Sequence, residues 1–153
     1  MSSTNKNLDY DSLFKEIDRY NELPVSNESF SEYLTRIKYH NQISNKKLAD
    51  RTGLSEATVC RYLTGSAKRM TNANILALVM GFELTSTQIE AALRLSGVRI
   101  DNPNKLENRI IQFCLDRCSL SGEEKMTVSD CNRLLAEKGL PPLTQKGVDG
   151  IPD

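Results

Sequence analysis

The sequence has no tryptophan, only four Phe and five Tyr, a single histidine and no surplus of either charge, since Lys plus Arg and Asp plus Glu each number 20 in 153 residues. So little aromatic and β-branched material argues against an extensive sheet and points to an all-α chain. Zero net charge excludes a global field that would draw the protein to nucleic acid. Long apolar runs are also missing: nothing approaches the roughly 18 residues of a membrane span, and Met1–Asn7 is polar where a secretory leader would be apolar. A soluble, cytoplasmic protein is expected, with no membrane partner. The length allows one domain or two small ones.

Catalytic signatures are equally scarce. There is no glycine-rich phosphate loop, no GxSxG and no convincing carboxylate pair, so the chain is expected not to be an enzyme, with no catalytic residue and no cofactor. The four cysteines, Cys60, Cys114, Cys118 and Cys131, follow no CxxC spacing, which argues against a zinc ribbon or a disulfide framework and fits a reducing compartment. Cys114 and Cys118 stand four apart on a helix, but no spacing gathers them with Cys131 and His40, and no metal site is expected. Cys114 and Cys131 are read as small core residues. A redox switch at Cys60 has nothing to support it, and Tyr33, Tyr39 and Tyr62 are read as packing and surface residues.

The charge that is present is unevenly spread. Counting Lys and Arg against Asp and Glu gives 3 and 6 in residues 1–30, 8 and 3 in 31–70, 2 and 2 in 71–100, and 7 and 9 in 101–153. An excess of five confined to 31–70 suits a module that contacts phosphates, because each neutralised phosphate releases counterions. An ordinary solvated surface accounts for it equally well.

Capping signals mark the helices. A first helix starts at Asp9 or Asp11 and runs to about Glu22, with Leu13, Phe14 and Ile17 on one face and Pro24 beyond its end. Ser29 and Glu32 form a capping box for a helix from Phe30 to about Asn41, striped by Phe30, Leu34 and Ile37. Ser44 caps a helix to Thr52, with Ile43 and Leu48 as a hydrophobic staple. Ser55 then caps another to about Leu63, stapled by Leu54 and Val59 and stopped at Gly65. Gly53 permits the tight turn between these two, Ala49 is small enough for a close crossing, and Leu48, Leu54, Val59 and Leu63 or Tyr62 fill the angle. A helix from about Asn72 to Met80, ended by Gly81, follows the basic loop Ser66–Arg69. Thr85 and Gln88 box the start of a helix ending at Ser96 and Gly97.

Leu84–Val98 aligns without gaps on Met126–Leu140, 42 residues further on, and the apolar Ile75–Met80 has a counterpart upstream of the second copy in the helix containing Ile110–Leu115. Cap Thr, late Leu and terminal Gly are the only identities, which shared capping grammar produces by itself. Two further helices are expected there, separated by a longer loop at Ser119–Lys125. Pro141 and Pro142 stop the last one before a loose tail.

Leu48–Gly65, LADRTGLSEATVCRYLTG, with the basic loop and the helix from Asn72 to Met80, resembles the Cro/repressor-type (lambda-repressor-like, Xre-like) helix-turn-helix family of bacteria and phages. Ala49, Gly53, Val59 and Gly65 stand at the family's spacing, and the likeness runs from about Phe30 to Gly97. The C-terminal helix pairs ending in Leu140-Pro-Pro-Leu143 are more faintly similar to an extension on some Gram-positive members. The resemblance implies a lambda-repressor-like helix-turn-helix bundle with additional C-terminal helices, divided as an N-terminal helical extension (1–27), the helix-turn-helix domain (28–98), a C-terminal helical extension (99–143) and a flexible tail (144–153).

It implies further that the second motif helix enters the major groove of double-stranded DNA, with Ser55, Glu56, Ala57, Cys60 and Arg61 towards the bases. Arg61 suits guanine O6 and N7, Glu56 a cytosine amino group and Ala57 a thymine methyl. Asn45, Lys46, Lys47, Thr64, Lys68 and Arg69 are the candidates for phosphate. Glu56 and Tyr62 depart from the family's usual residues. A sequence-specific, repressor-like transcriptional regulator acting as a homodimer is the resulting expectation, with the helices after Gly97 as dimer interface or protein-docking surface. The alternative is a helix-turn-helix module that binds protein, as an antitoxin or adaptor.

Overall fold

The computed structural model describes residues 7–19 and 22–148. Over them it has eight α-helices: α1 (Tyr10–Arg19), α2 (Phe30–Asn41), α3 (Asn45–Thr52), α4 (Glu56–Thr64), α5 (Asn72–Gly81), α6 (Ser86–Ser96), α7 (Leu106–Arg117) and α8 (Val128–Glu137), with a 3-10 turn at Gly122–Glu124. Among the described residues there is no strand. Six of the helix starts, those of α2 to α6 and α8, are each fixed within one turn. Ser29, Ser44, Ser55, Thr71, Thr85 and Thr127 each accept the amide three residues on, and Glu32, Gln88 and Asp130 complete capping boxes.

α5 is the hub. It is buried from Ile75 to Gly81, and the helices around it contribute Tyr33, Leu34, Leu48, Val59, Ile89 and Ala92 to one core. α3 packs on α4, α5 and α8, α2 on α4 and α6, and α7 on α8. Cys114, Cys118 and Cys131 are buried in this core, as expected of the first and last. The hydrogen bond with Cys114, then burial, pushes the Cys131 thiol up, so it stays neutral.

Three features differ from the sequence-based expectation. Gly81 does not end α5 but is its last helical residue, and the left-handed residue follows at Glu83, φ 59°. Its smallness serves a crossing instead: a Cβ there would lie 2.4 Å from the Thr52 methyl. The tail expected to be flexible from 144 is docked as far as Gly147. Leu143 is buried, Thr144 donates to the Thr52 carbonyl, and Arg133 Nε donates to that of Gly147. Finally, the apolar residues of α1 stay outside the core: Leu13, Phe14 and Ile17 are 38%, 59% and 53% exposed. The expected run of this helix to Glu22 crosses residues 20–21, outside the described ones.

Candidate nucleic-acid interface

α3 and α4 are joined by the three residues Gly53-Leu54-Ser55, and Gly53 takes φ 83°, a value that L side chains adopt at a cost. Thr52 reinforces the bend. Its hydroxyl donates to the Leu48 carbonyl at 2.7 Å and accepts the Leu54 amide at 3.1 Å. Beyond the turn, the inward face of α4, Val59, Tyr62 and Leu63, is buried. Two hydroxyls of α2 hold its later carbonyls, Ser31 on that of Tyr62 and Thr35 on that of Leu63. The departure at Tyr62 has a structural use. Its ring is buried while its hydroxyl accepts the Thr71 amide at 2.9 Å and an Asn74 amide proton at 3.2 Å, which ties the basic loop to α4 and α5.

The helical period leaves the opposite face bare. Ser55, Glu56, Ala57, Cys60 and Arg61 are all exposed on one side of α4, followed by Thr64 at its end. Arg61 is turned back along the helix, Nη2 donating to Thr58 Oγ1 at 3.3 Å, and Thr58 Oγ1 accepts from Ser55 Oγ at 2.9 Å. Thr58 therefore organises two of the expected readers, a role that sequence reasoning did not assign. The signal was its position, three residues from each.

Lys46 and Lys47 are exposed on the first turn of α3, and Lys68 and Arg69 on the loop after α4. Glu56, Lys46, Lys68 and Arg69 enter no ion pair among the described residues. Asn45 is half-buried, and its Oδ1 is a buried acceptor without a hydrogen-bond partner. Lys47 also faces a cleft of about 580 Å³ beside α8, where Glu83 bridges Lys125 at 2.9 Å and Arg51 at 3.6 Å. Those contacts hold the Glu83 carboxyl below its ordinary range, the Lys125 hydrogen bond being the largest cause.

In chemical terms, a narrow helix face offers a guanidinium, a carboxylate, a methyl and a hydroxyl side by side, flanked by the ammonium groups of Lys46 and Lys68, which enter no ion pair among the described residues. No described helix is long and apolar enough to cross a membrane. A family model described as the Cro/C1-type HTH DNA-binding domain matches residues 34–85, from within α2 to the cap of α6. Neither a curated protein nor a solved structure matches the chain. Residues 34–85, about a third of the chain, thus form a helix-turn-helix domain of the Cro/Xre type.

Proposed function

We propose that this protein is a sequence-specific transcriptional regulator of repressor type, which reads DNA through the outer face of α4. The observation that carries this reading is the division of α4 itself, buried along Val59, Tyr62 and Leu63 and bare along Ser55, Glu56, Ala57, Cys60 and Arg61. Exposed side chains on one side of a helix are available to base edges, Arg61 by exchanging its Thr58 contact for a base. Arg61 pairs with guanine, Glu56 accepts from a cytosine amino group and Ala57 meets a thymine methyl. Asn45, Lys46, Lys47, Thr64, Lys68 and Arg69 fix the register on the phosphates. One such helix reads only a few base pairs, so two protomers on a palindrome about one helical turn apart form the working unit, the helices after Gly97 being the candidate interface.

Selection of binding sites from random duplex DNA tests the reading. A palindromic motif should enrich, and Arg61→Ala should weaken binding to it by about 1–3 kcal/mol, roughly fivefold to 150-fold, with relaxed preference at one base pair. Failure of any motif to enrich rejects the regulator. A second reading, an adaptor that keeps the fold and binds protein, is favoured by the exposed Leu13, Phe14 and Ile17 of α1 and by zero net charge. It requires indifference to both salt and Arg61→Ala.

A further inference from the structure

The segment after α8 closes directly onto the motif's turn. Asn132 has no exposure, and its amide is fully engaged there. Oδ1 accepts from the amides of Leu143 at 2.8 Å and Thr144 at 3.2 Å, while Nδ2 donates to Thr144 Oγ1 and to the Lys146 carbonyl, both at 3.0 Å. The Thr144 hydroxyl passes the contact on, donating to the Thr52 carbonyl at 2.5 Å. That carbonyl closes α3, where a helix leaves its last acceptors unfilled. A Cβ on Gly53 would stand 2.7 Å from Thr144 Oγ1 and 2.8 Å from Lys146 Cβ, so the segment lies flush against the turn.

From these contacts we infer that Leu143–Gly147 is a strap that fixes the α3–α4 turn and so sets the angle at which the first turn of α4 meets DNA, with Asn132 and Thr144 as positioning residues. The inference rests on the DNA-reading role of α4 proposed above. α4 is anchored from Val59 onward, but its first two residues, Glu56 and Ala57, are exposed and hold nothing. Their placement depends on what lies behind them: the Ser55 cap, the Thr52 hydroxyl and, from outside the motif, the strap. Among these supports the strap alone comes from the C-terminal helices, which gives that part of the chain a use at the reading end.

Thr144→Val keeps the shape and removes the hydroxyl that both accepts from Asn132 and donates to Thr52, whereas Thr144→Ser keeps it. In the full chain without DNA, hydrogen exchange of the Gly53 and Leu54 amides should quicken about tenfold in the valine variant and return to the native rate with serine. Affinity for the selected duplex should fall about fivefold to tenfold with valine, serine restoring it, while affinity for a random duplex changes less than twofold. If the valine variant fails to fold, Thr144→Ala in the full chain, which removes the same hydroxyl without a second methyl, should show the same two changes. Unchanged exchange at Gly53 and Leu54 overturns the strap, as does an equal loss on selected and random duplexes. Should the native chain enrich no duplex at all, the DNA-reading role fails, and the exchange measurement still decides whether the strap holds the turn.

Discussion

Gly81 and Thr52 offer a quantitative check on how α3 sits against α5. A methyl built on Gly81 falls 2.4 Å from Thr52 Cγ2, whereas the next neighbours, Arg51 Cβ and Thr52 Cβ, stay at 3.7 and 3.8 Å. One methyl is therefore the whole obstacle, and it belongs to a side chain with no exposure. Overpacking a close-packed core costs about 1–3 kcal/mol, and replacing a helical glycine by alanine returns up to about 1 kcal/mol. Gly81→Ala should thus destabilise the fold by about 1–2 kcal/mol. Thr52→Ser removes the obstructing methyl while keeping the hydroxyl bonds to Leu48 and Leu54. Alone it costs about 1 kcal/mol, the value of a buried methylene, but in the alanine background it removes the clash and returns about 1–2 kcal/mol.

The double variant should then lie near the native protein or slightly below it, with a favourable coupling of about 2–3 kcal/mol between the two sites. Urea unfolding followed by far-ultraviolet circular dichroism reads this directly. With a slope of about 2 kcal/mol per molar, the midpoint should drop by about 0.5–1 M for Gly81→Ala and largely recover in the double variant. If Gly81→Ala unfolds at or above the native midpoint, or if Thr52→Ser costs the same in both backgrounds, the close crossing is not what glycine serves.

Two other perturbations follow from buried polar groups. Tyr62→Phe takes away the acceptor of the Thr71 amide and of Asn74 Nδ2; a loss of about 1–2 kcal/mol is expected in the same unfolding assay, with faster exchange of the Thr71 amide, and a change under 0.3 kcal/mol (order of the error in such comparisons) would contradict it. Glu28 accepts from Arg36 at 2.8 and 2.9 Å and from the Val25 amide at 3.0 Å, and the Arg36 hydrogen bond holds its carboxyl below the ordinary 4.5. A depressed carboxyl contributes its stability above the unfolded-state value and loses it as pH falls through the folded one. Glu28→Gln should therefore cost about 1–3 kcal/mol at neutral pH and progressively less below pH 4.5; a gap that stays constant down to acid unfolding would show that the ion pair is not its source.

What the sequence made legible was local. Ser29, Ser44, Ser55, Thr85 and Thr127 each act on an amide three residues away, so a reader of the chain has both partners in view, and the helix starts they set are the ones observed. The inward face of α4, Val59 with Leu63 or Tyr62, followed from the same short-range reasoning, whereas the outward residues came with the family resemblance of Leu48–Gly65. Gly81 misled because a terminal glycine and a glycine at a crossing look alike until the opposing Thr52, 29 positions earlier, is in place. The docked tail was illegible for the same reason. Two prolines announced a stop, but Asn132 reads as an ordinary helical asparagine, and the Thr144 contact to Thr52 spans 92 positions.

Charge placement makes the oligomeric state readable from salt dependence. Zero net charge leaves no long-range attraction, and at 0.15 M salt fields decay within about 8 Å, so the cations that act on a duplex are those in contact with it. On each protomer the charged phosphate candidates are Lys46, Lys47, Lys68 and Arg69, all exposed. Four contacts give a slope of log affinity against log salt of about −3.6, and two protomers on one palindrome about −7. Between 50 and 200 mM salt, binding should weaken about a hundredfold on an isolated half-site and about ten-thousandfold on the full palindrome. Fluorescence anisotropy on the two duplexes at four salt concentrations separates the cases. A slope near −3.6 on both means that one protomer binds and rejects the dimer; a slope near zero on both means that these four cations do not touch phosphate, and DNA recognition by this face falls with them.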